Sequence, residues 1–325
     1  MIELHDICKT FRVLNRKKGV LATVKAMFRR NYKEIHALDS VSFNVDKGEI
    51  VGFIGPNGAG KSTAIKIMSG ILVPDSGECN IMGFTPWTDR RKYVANIGVV
   101  FGQRMQLWWD VPVQDSYDLL RDIYNVPKEQ FNRTLDELKE ALDIADLLKT
   151  PLRQLSLGQR MRCEIGASLL HSPRILFLDE PTIGLDAVSK LAMRRFIKQL
   201  NKEHKTTVIL TTHDMDDIEA LTDRIILIGK GRILYDGSIR KIREQYDQER
   251  IITVAFEERF EPVIPEGAEL VSWENSRAVY RINTKIAGMA GILSTLNEKL
   301  FIFDITSETS PVEEIIASIY RDKRI

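Results

Sequence analysis

The chain has 325 residues, enough for two domains, and its 44% hydrophobic and 28% charged content supplies a sizeable core with an ordinary surface. A net charge of +1 excludes a global field that would gather nucleic acid or an anionic membrane. Three separated cysteines, Cys8, Cys79 and Cys163, lack metal-ligand spacing and fit a reduced compartment. The opening "MIELHDICKT" carries charges where a secretory signal needs an apolar core. No apolar run reaches the roughly 18 residues of a spanning helix, so the chain is not expected to cross a membrane by itself.

In chain order, short apolar runs alternate with helical patterns. "EIVGFIG" (Glu49–Gly55), "NIGVVF" (Asn96–Phe101), "RILFLDE" (Arg174–Glu180), "TTVILTTH" (Thr206–His213) and "DRIILIG" (Asp223–Gly229) read as buried strands. "TLDELKEALDIADLL" (Thr134–Leu148) predicts a helix with Leu135, Leu138, Leu142 and Ala145 on one face. The alternation predicts an α/β core with a largely parallel sheet over 1–240, interrupted by a helical insertion at about 113–172. After Gly237 the character changes. "IITVAFE" (Ile251–Glu257), "RAVYRIN" (Arg277–Asn283) and "LFIFDIT" (Leu300–Thr306) read as strands, with helices at Ile286–Lys299 and Pro311–Arg321. A small α+β domain over 248–325, with a split β-α-β sheet, is the expectation.

"GPNGAGKS", Gly55 to Ser62, follows a strand and opens a helix, the context the phosphate-loop pattern requires. Glycines let the backbone turn its N–H groups toward phosphate, and the helix adds its positive N-terminal end. Lys61 is placed to reach the β- and γ-phosphates and Ser62 to ligate Mg²⁺. "ILFLDEPT" (Ile175–Thr182) is an apolar strand ending in two acids. Asp179 is placed for the Mg²⁺ shell and Glu180 for the attacking water, the division that in-line phosphoryl transfer asks for. An acidic pair facing solvent at a strand end is the plain alternative.

"LSLGQR", Leu155 to Arg160, shifts the balance toward chemistry. With it the sequence resembles the ATP-binding cassette (ABC) transporter ATPases, whose signature is commonly LSGGQ. Ser156, Gly158 and Gln159 match, and Leu157 stands in place of a glycine. The resemblance covers about residues 1–240 and implies a phosphate-loop NTPase cassette that binds ATP and Mg²⁺. It implies a nucleotide site from Gly55, Pro56, Asn57, Gly58, Ala59, Gly60, Lys61, Ser62 and Thr63, with Phe11 stacking on adenine. A core position on an early strand is the other reading of Phe11. Gln103 resembles the glutamine that senses Mg²⁺ and the water, with Gln106 as the competing choice. His213 resembles the histidine on the γ-phosphate, and Asp186 the loop that links the two sites of a dimer. Asp214 reads as the N-cap of the next helix. The implied mechanism is head-to-tail closure of two cassettes on ATP. Ser156, Leu157, Gly158 and Gln159 of one copy then complete the site of the other.

Two features narrow the family. "DITSETSPVEEIIASIYR" (Asp304–Arg321) is similar to the tail of cassettes serving type-2 exporters. "RVLNRKKGVLATVKAMFRRNYKE" (Arg12–Glu34) is a basic insertion, with Val20, Leu21, Val24, Met27 and Phe28 at helical spacing. It suits a membrane surface, a permease, or the cassette's own surface. The expected partners are membrane-spanning permease subunits and a second copy or a related cassette, at the cytoplasmic face of the membrane. No nucleic acid is expected. The alternative, a soluble ABC ATPase acting on nucleic acid or ribosomes, lacks the long coiled coils or paired cassettes of such proteins. "FGQRMQLWWDVPV" (Phe101–Val113) joins the ATP site to the helical insertion. Trp108 and Trp109 are candidates for the permease groove, and strand alternation predicts one facing out and one packed inside.

Overall fold

The structure is a computed structural model that describes residues 1–14, 32–102, 105–246, 249–256, 263–274, 276–283, 288–299, 301–309 and 312–323. Positions 15–31 of the basic insertion, together with Gln103 and Pro311, lie outside the described residues. The chain divides into two compact units, Met1–Asp236 and Gly237–Ile325.

The first unit opens with two long strands, β1 (Ile2–Leu14) and β2 (Tyr32–Val45), paired antiparallel with irregular register near Leu4, Ile7 and Lys9. β3 (Ile50–Ile54) is a short apolar run that leads through the phosphate loop into α1 (Lys61–Met68). β4 (Ser76–Ile81) returns to β1, giving a three-stranded sheet of order β2-β1-β4. Then come α2 (Arg90–Val94), β5 (Ile97–Phe101), α3 (Val113–Ile123), α4 (Lys128–Ala141) and two short 3₁₀ turns at Ala145–Leu147 and Leu152–Gln154. α5 (Leu157–Leu169), β6 (Ile175–Asp179), α6 (Ala187–His204), β7 (Thr207–Thr211), α7 (Met215–Leu221), β8 (Arg224–Gly229) and β9 (Arg232–Ser238) follow.

The second sheet has the order β5-β6-β7-β3-β8-β9, with parallel pairing from β5 through β8. Its inner strands are continuous apolar runs because both faces are covered, which is why they are readable without alternation. Phe53, Phe177, Ile209 and Ile226 share one core with Leu4, Val41 and Ile81 of the antiparallel sheet and with Ile65 of α1. Full burial of each such side chain contributes about 1.5–3 kcal/mol. The register fixes what matters for function. Phe101 lies opposite Asp179, Asp179 opposite Thr211, and Thr211 opposite Phe53. The carboxyl ends of β5, β6, β7 and β3 are therefore level, on the side where open α/β sheets take their ligands.

One expected helix differs. α4 ends at Ala141, not near Leu148, because Asp143 takes a left-handed φ of 49°. Leu135, Leu138 and Leu142 are buried as expected, but Ala145 is exposed and Ile144 takes the buried place beyond the turn.

The second unit contains α8 (Ile239–Tyr246), β10 (Glu249–Phe256), β11 (Ala268–Glu274), β12 (Arg277–Asn283), α9 (Met289–Lys299), β13 (Ile302–Thr309) and α10 (Val312–Asp322). Its antiparallel sheet has the order β11-β12-β10-β13. β12 and β13 each run antiparallel to β10 and flank it, with α9 between them in sequence, a split β-α-β arrangement. Every second residue of β10 and β12 faces the same way, so Ile252, Val254, Phe256, Ala278, Tyr280 and Ile282 form one floor. Ile292 and Leu296 of α9 pack into the same cluster.

Candidate functional site

The phosphate loop links β3 to α1. Gly60 takes φ 113°, and a Cβ there would meet the Ala37 carbonyl oxygen at 2.4 Å, so only glycine fits this last turn before the helix. Pro56, Asn57 and Gly58 are exposed, Gly55, Ala59 and Gly60 are buried, and Ser62 and Thr63 are half-buried in the first helical turn. α1 has neither an acidic residue in that turn nor a side-chain cap, so its positive end is left for an outside anion. Lys61 is 6% exposed and its Nζ donates to the Gly55 oxygen at 2.6 Å and the Pro56 oxygen at 3.2 Å. Burial pushes the Lys61 pKa down, against the Glu180 and Asp179 carboxylates, which raise it. A buried ammonium held on loop carbonyls at a helix start is a ready phosphate site.

The acids stand beside it. The Ser62 hydroxyl donates to Asp179 Oδ1 at 3.2 Å, and Thr211 Oγ1 donates to the same oxygen at 2.6 Å. This hydroxyl and carboxylate offer the hard oxygen donors that suit Mg²⁺. Glu180 adopts a left-handed φ of 55°, uncommon for a residue with a side chain. Its N–H donates to the Thr211 carbonyl oxygen at 2.9 Å. Gly102 presses on this turn, since a Cβ there would lie 2.3 Å from the Glu180 oxygen. His213 Nδ1 is 3.6 Å from Glu180 Oε1, and the histidine side chain is mostly exposed. Strand register thus brings Lys61, Ser62, Asp179, Glu180 and His213 to one place. Phe11 lies on β1, exposed at its ring, with Lys9 Nζ 5.9 Å from the centroid.

The signature opens α5. Ser156 is its N-cap, with the Gln159 N–H donating to the Ser156 hydroxyl at 3.3 Å and the Ser156 N–H to Gln159 Oε1 at 2.9 Å. Leu157 is exposed and Gly158 is buried against Ser189. Asp186 caps α6 by accepting from the Ser189 N–H at 2.8 Å and the Ser189 hydroxyl at 2.9 Å. Signature and Asp186 loop are therefore neighbours within one chain.

One expectation is corrected. Trp108 and Trp109 are 43% and 46% exposed, so neither is packed inside. They lie beyond β5 and outside any strand, so alternation does not apply, and Leu107 beside them is buried. Asp214 stands at the N-cap of α7, as expected, but without a side-chain cap hydrogen bond. It pairs with Lys190 and, at 3.6 Å, with Arg194. Gln106, the competing choice for Gln103, uses its backbone N–H on Glu164 and its side-chain amide on the Val99 and Glu164 carbonyl oxygens. Sequence reasoning missed Thr211, Glu164 and the Arg194–Asp217 pair, whose partners come from distant elements; the run "TTH" before His213 was the one local signal for Thr211.

Residues 38–183 match the family model described as ABC transporter. The chain is similar to the ABC transporter ATP-binding protein NatA of Bacillus subtilis (strain 168), 30% identical over 223 residues, 69% of this chain and 89% of that one. The chain belongs to the ABC transporter ATPases. It is also similar to the daunorubicin resistance ATP-binding protein DrrA3 of Streptomyces coeruleorubidus, 32% identical over 225 residues, 69% of this chain and 71% of its relative. A solved ATP-binding cassette, in a dimeric post-hydrolysis state bound to ADP and Pi, superposes with a TM-score of 0.62 at 28% identity. It covers 74% of this chain and 99% of its own. The fold is thus that of the phosphate-loop ABC cassette, and the activity of an ABC ATPase is hydrolysis of ATP with Mg²⁺. The uncapped α1, the buried Lys61 and the Ser62–Asp179 oxygens fit that substrate and that metal. Among the described residues no helix is long and apolar enough to cross a membrane.

Proposed function

We propose that this ABC ATPase is the energy-supplying subunit of an exporter, attached to separate permease subunits at the cytoplasmic face of a membrane. The observation that carries the ATP-hydrolysing part of the reading is the level register of β3, β6 and β7, which gathers phosphate loop, acids and histidine. Export is supported by the likeness of the C-terminal tail to type-2 exporter cassettes and by the drug-resistance name of one relative.

In this reading Lys61 and the N–H groups opening α1 bind the β- and γ-phosphates. Mg²⁺ held by Ser62 and Asp179 supplies charge stabilisation at the transferring phosphoryl group. Glu180 orients the attacking water and accepts its proton, while His213 contacts the γ-phosphate from the end of β7. Gln103 joins the metal side, and Phe11 stacks on adenine. A second copy, or a related cassette, places its Ser156 hydroxyl and Gly158 N–H on the γ-phosphate, with Leu157 and Gln159 framing them. Asp186 carries the state of one site to the other, consistent with its hold on Ser189 beside Gly158. ATP thereby closes two cassettes, and hydrolysis releases them.

The permease end of the reading is tested by purification from membranes in mild detergent. The chain is expected to recover with a multi-spanning membrane protein; recovery only as a free protein counts against it.

Trp108 and Trp109 form the proposed permease contact. The Arg160 guanidinium lies 4.4 Å from the Trp109 ring centroid, a stacked cation–π contact that holds the ring rigid. A rigid, half-exposed aromatic is the usual anchor at an interface. Trp109→Ala is therefore expected to weaken permease association by about 2 kcal/mol, and Trp108→Ala by less. Co-purification yield and transport per ATP check this; if neither variant alters either quantity, the pair is not the contact.

A further inference from the structure

Glu164 lies on α5, two turns beyond the signature, and is 4% exposed. Its carboxylate faces the backbone of the loop that carries the tryptophans. The Gln106 N–H donates to both Oε1 and Oε2 at 3.1 Å, and the Leu107 N–H donates to Oε1 at 3.1 Å. Gln106 returns its side-chain amide to the Glu164 carbonyl oxygen at 3.4 Å. Burial raises the Glu164 carboxyl pKa, and the N–H donors of Gln106 and Leu107 oppose that rise. A carboxylate placed in the interior is costly unless its oxygens are satisfied, so the loop N–H groups are a required part of this site.

A second grip lies one helical turn earlier. Arg160, four residues before Glu164 and so on the same helical face, covers the Trp109 ring. Arg160 also donates to the Leu152 oxygen at 3.2 Å and the Arg153 oxygen at 3.1 Å, and the Arg153 N–H donates to the Trp109 oxygen at 3.1 Å. α5 thus holds the segment Gln106–Trp109 at two points, one by backbone N–H groups and one by an aromatic face.

We infer that Glu164 is a positioning residue that fastens the Trp108–Trp109 segment to the signature helix, so that the two move as one body when ATP closes the cassettes. The inference rests on the proposed roles of the signature and of the tryptophans. It adds a direct connection between signature and permease side that bypasses the metal. Charge on Glu164 serves the connection because a carboxylate accepts all three bonds, where an apolar side chain accepts none.

The test uses the full-length chain. The protein has four tryptophans, so Trp87→Phe with Trp273→Phe leaves Trp108 and Trp109 as the emitting pair. Added ATP is expected to change their emission. Glu164→Ala is expected to bind ATP and to lose most of that change, while Glu164→Gln, which keeps one acceptor oxygen, restores much of it. Hydrogen exchange on the chain with all four tryptophans gives a second measurement, independent of the phenylalanine substitutions. Exchange at Gln106 and Leu107 is expected to rise about tenfold in Glu164→Ala and much less in Glu164→Gln. A full emission response in Glu164→Ala, no response in a parent that binds ATP, or unchanged exchange would each overturn the inference. Failure of both tryptophan-to-alanine variants to affect permease association would sink the permease contact instead, and would leave these measurements on the isolated chain as they stand.

Discussion

Glu180→Gln is expected to lower ATP turnover by on the order of a hundred- to ten-thousandfold while ATP binding persists. Glu180 follows the last residue of β6, and its left-handed φ of 55° turns the chain sharply at the level of the phosphate loop. The conformation is held by the Thr211 oxygen, which accepts its N–H at 2.9 Å, and by the close approach of Gly102. A residue kept in an uncommon backbone state by its surroundings points to a position-critical side chain. The amide of Gln occupies the same volume and keeps Lys61, Ser62 and Asp179 in place; Lys61 loses one of its two supporting carboxylates but keeps Asp179, so phosphate and metal contacts are expected to survive. It removes the group proposed to accept the water's proton. Single-turnover and steady-state hydrolysis, measured beside equilibrium ATP binding, separate the two effects. Near-normal turnover would remove Glu180 from the role of base. A lost affinity for ATP would mean that the carboxylate serves binding, not proton transfer.

Much of this site is legible along the chain because its parts are local. The phosphate loop, the acidic strand end and the signature are short, and each carries its own backbone context. The strands beneath them are readable because burial on both faces makes β3, β6, β7 and β8 continuous apolar runs. Strands without an apolar run fare worse. β4 and β11 expose most of their residues and carry neither a run nor a clean alternation, so they go unannounced. The tryptophan pair misleads for another reason. Alternation holds only within a strand, and β5 ends at Phe101, before the pair. Asp214 is legible as the cap residue of α7, but its pairing with two basic side chains of α6, distant in sequence, is not. Glu164 is the least legible of all. Its partners are backbone N–H groups 57 and 58 residues away, which no side-chain pattern reveals.

The largest stability effect is expected from the ion pairs behind the acids. Asp217 on α7 is fully buried, with 0% of its side chain exposed, and its Oδ1 accepts from Arg194 Nε at 2.5 Å, while its Oδ2 accepts from Thr182. Arg194 is 15% exposed and also approaches Asp214 at 3.6 Å; Lys190 completes the group on Asp214. Arg194→Ala leaves the buried Asp217 carboxylate with the Thr182 hydroxyl and the more distant Lys190 charge, and loss of one partner from a buried pair costs about 3–5 kcal/mol. The fall is expected in the urea unfolding of the unit Met1–Asp236. Replacing Arg194 and Asp217 together by leucines is expected to recover a large part of it, because the stranded charge goes too. The network also touches chemistry. Thr182 lies two residues after Glu180, and Asp214 directly follows His213. α6 therefore ties the turn after β6 to the turn after β7, and Arg194→Ala is expected to slow turnover beyond its effect on the folded fraction. Unchanged urea unfolding would show that the pair is solvated in solution. Lost stability with full turnover per folded molecule would confine the network to structure and leave the placement of Glu180 and His213 to the strands alone.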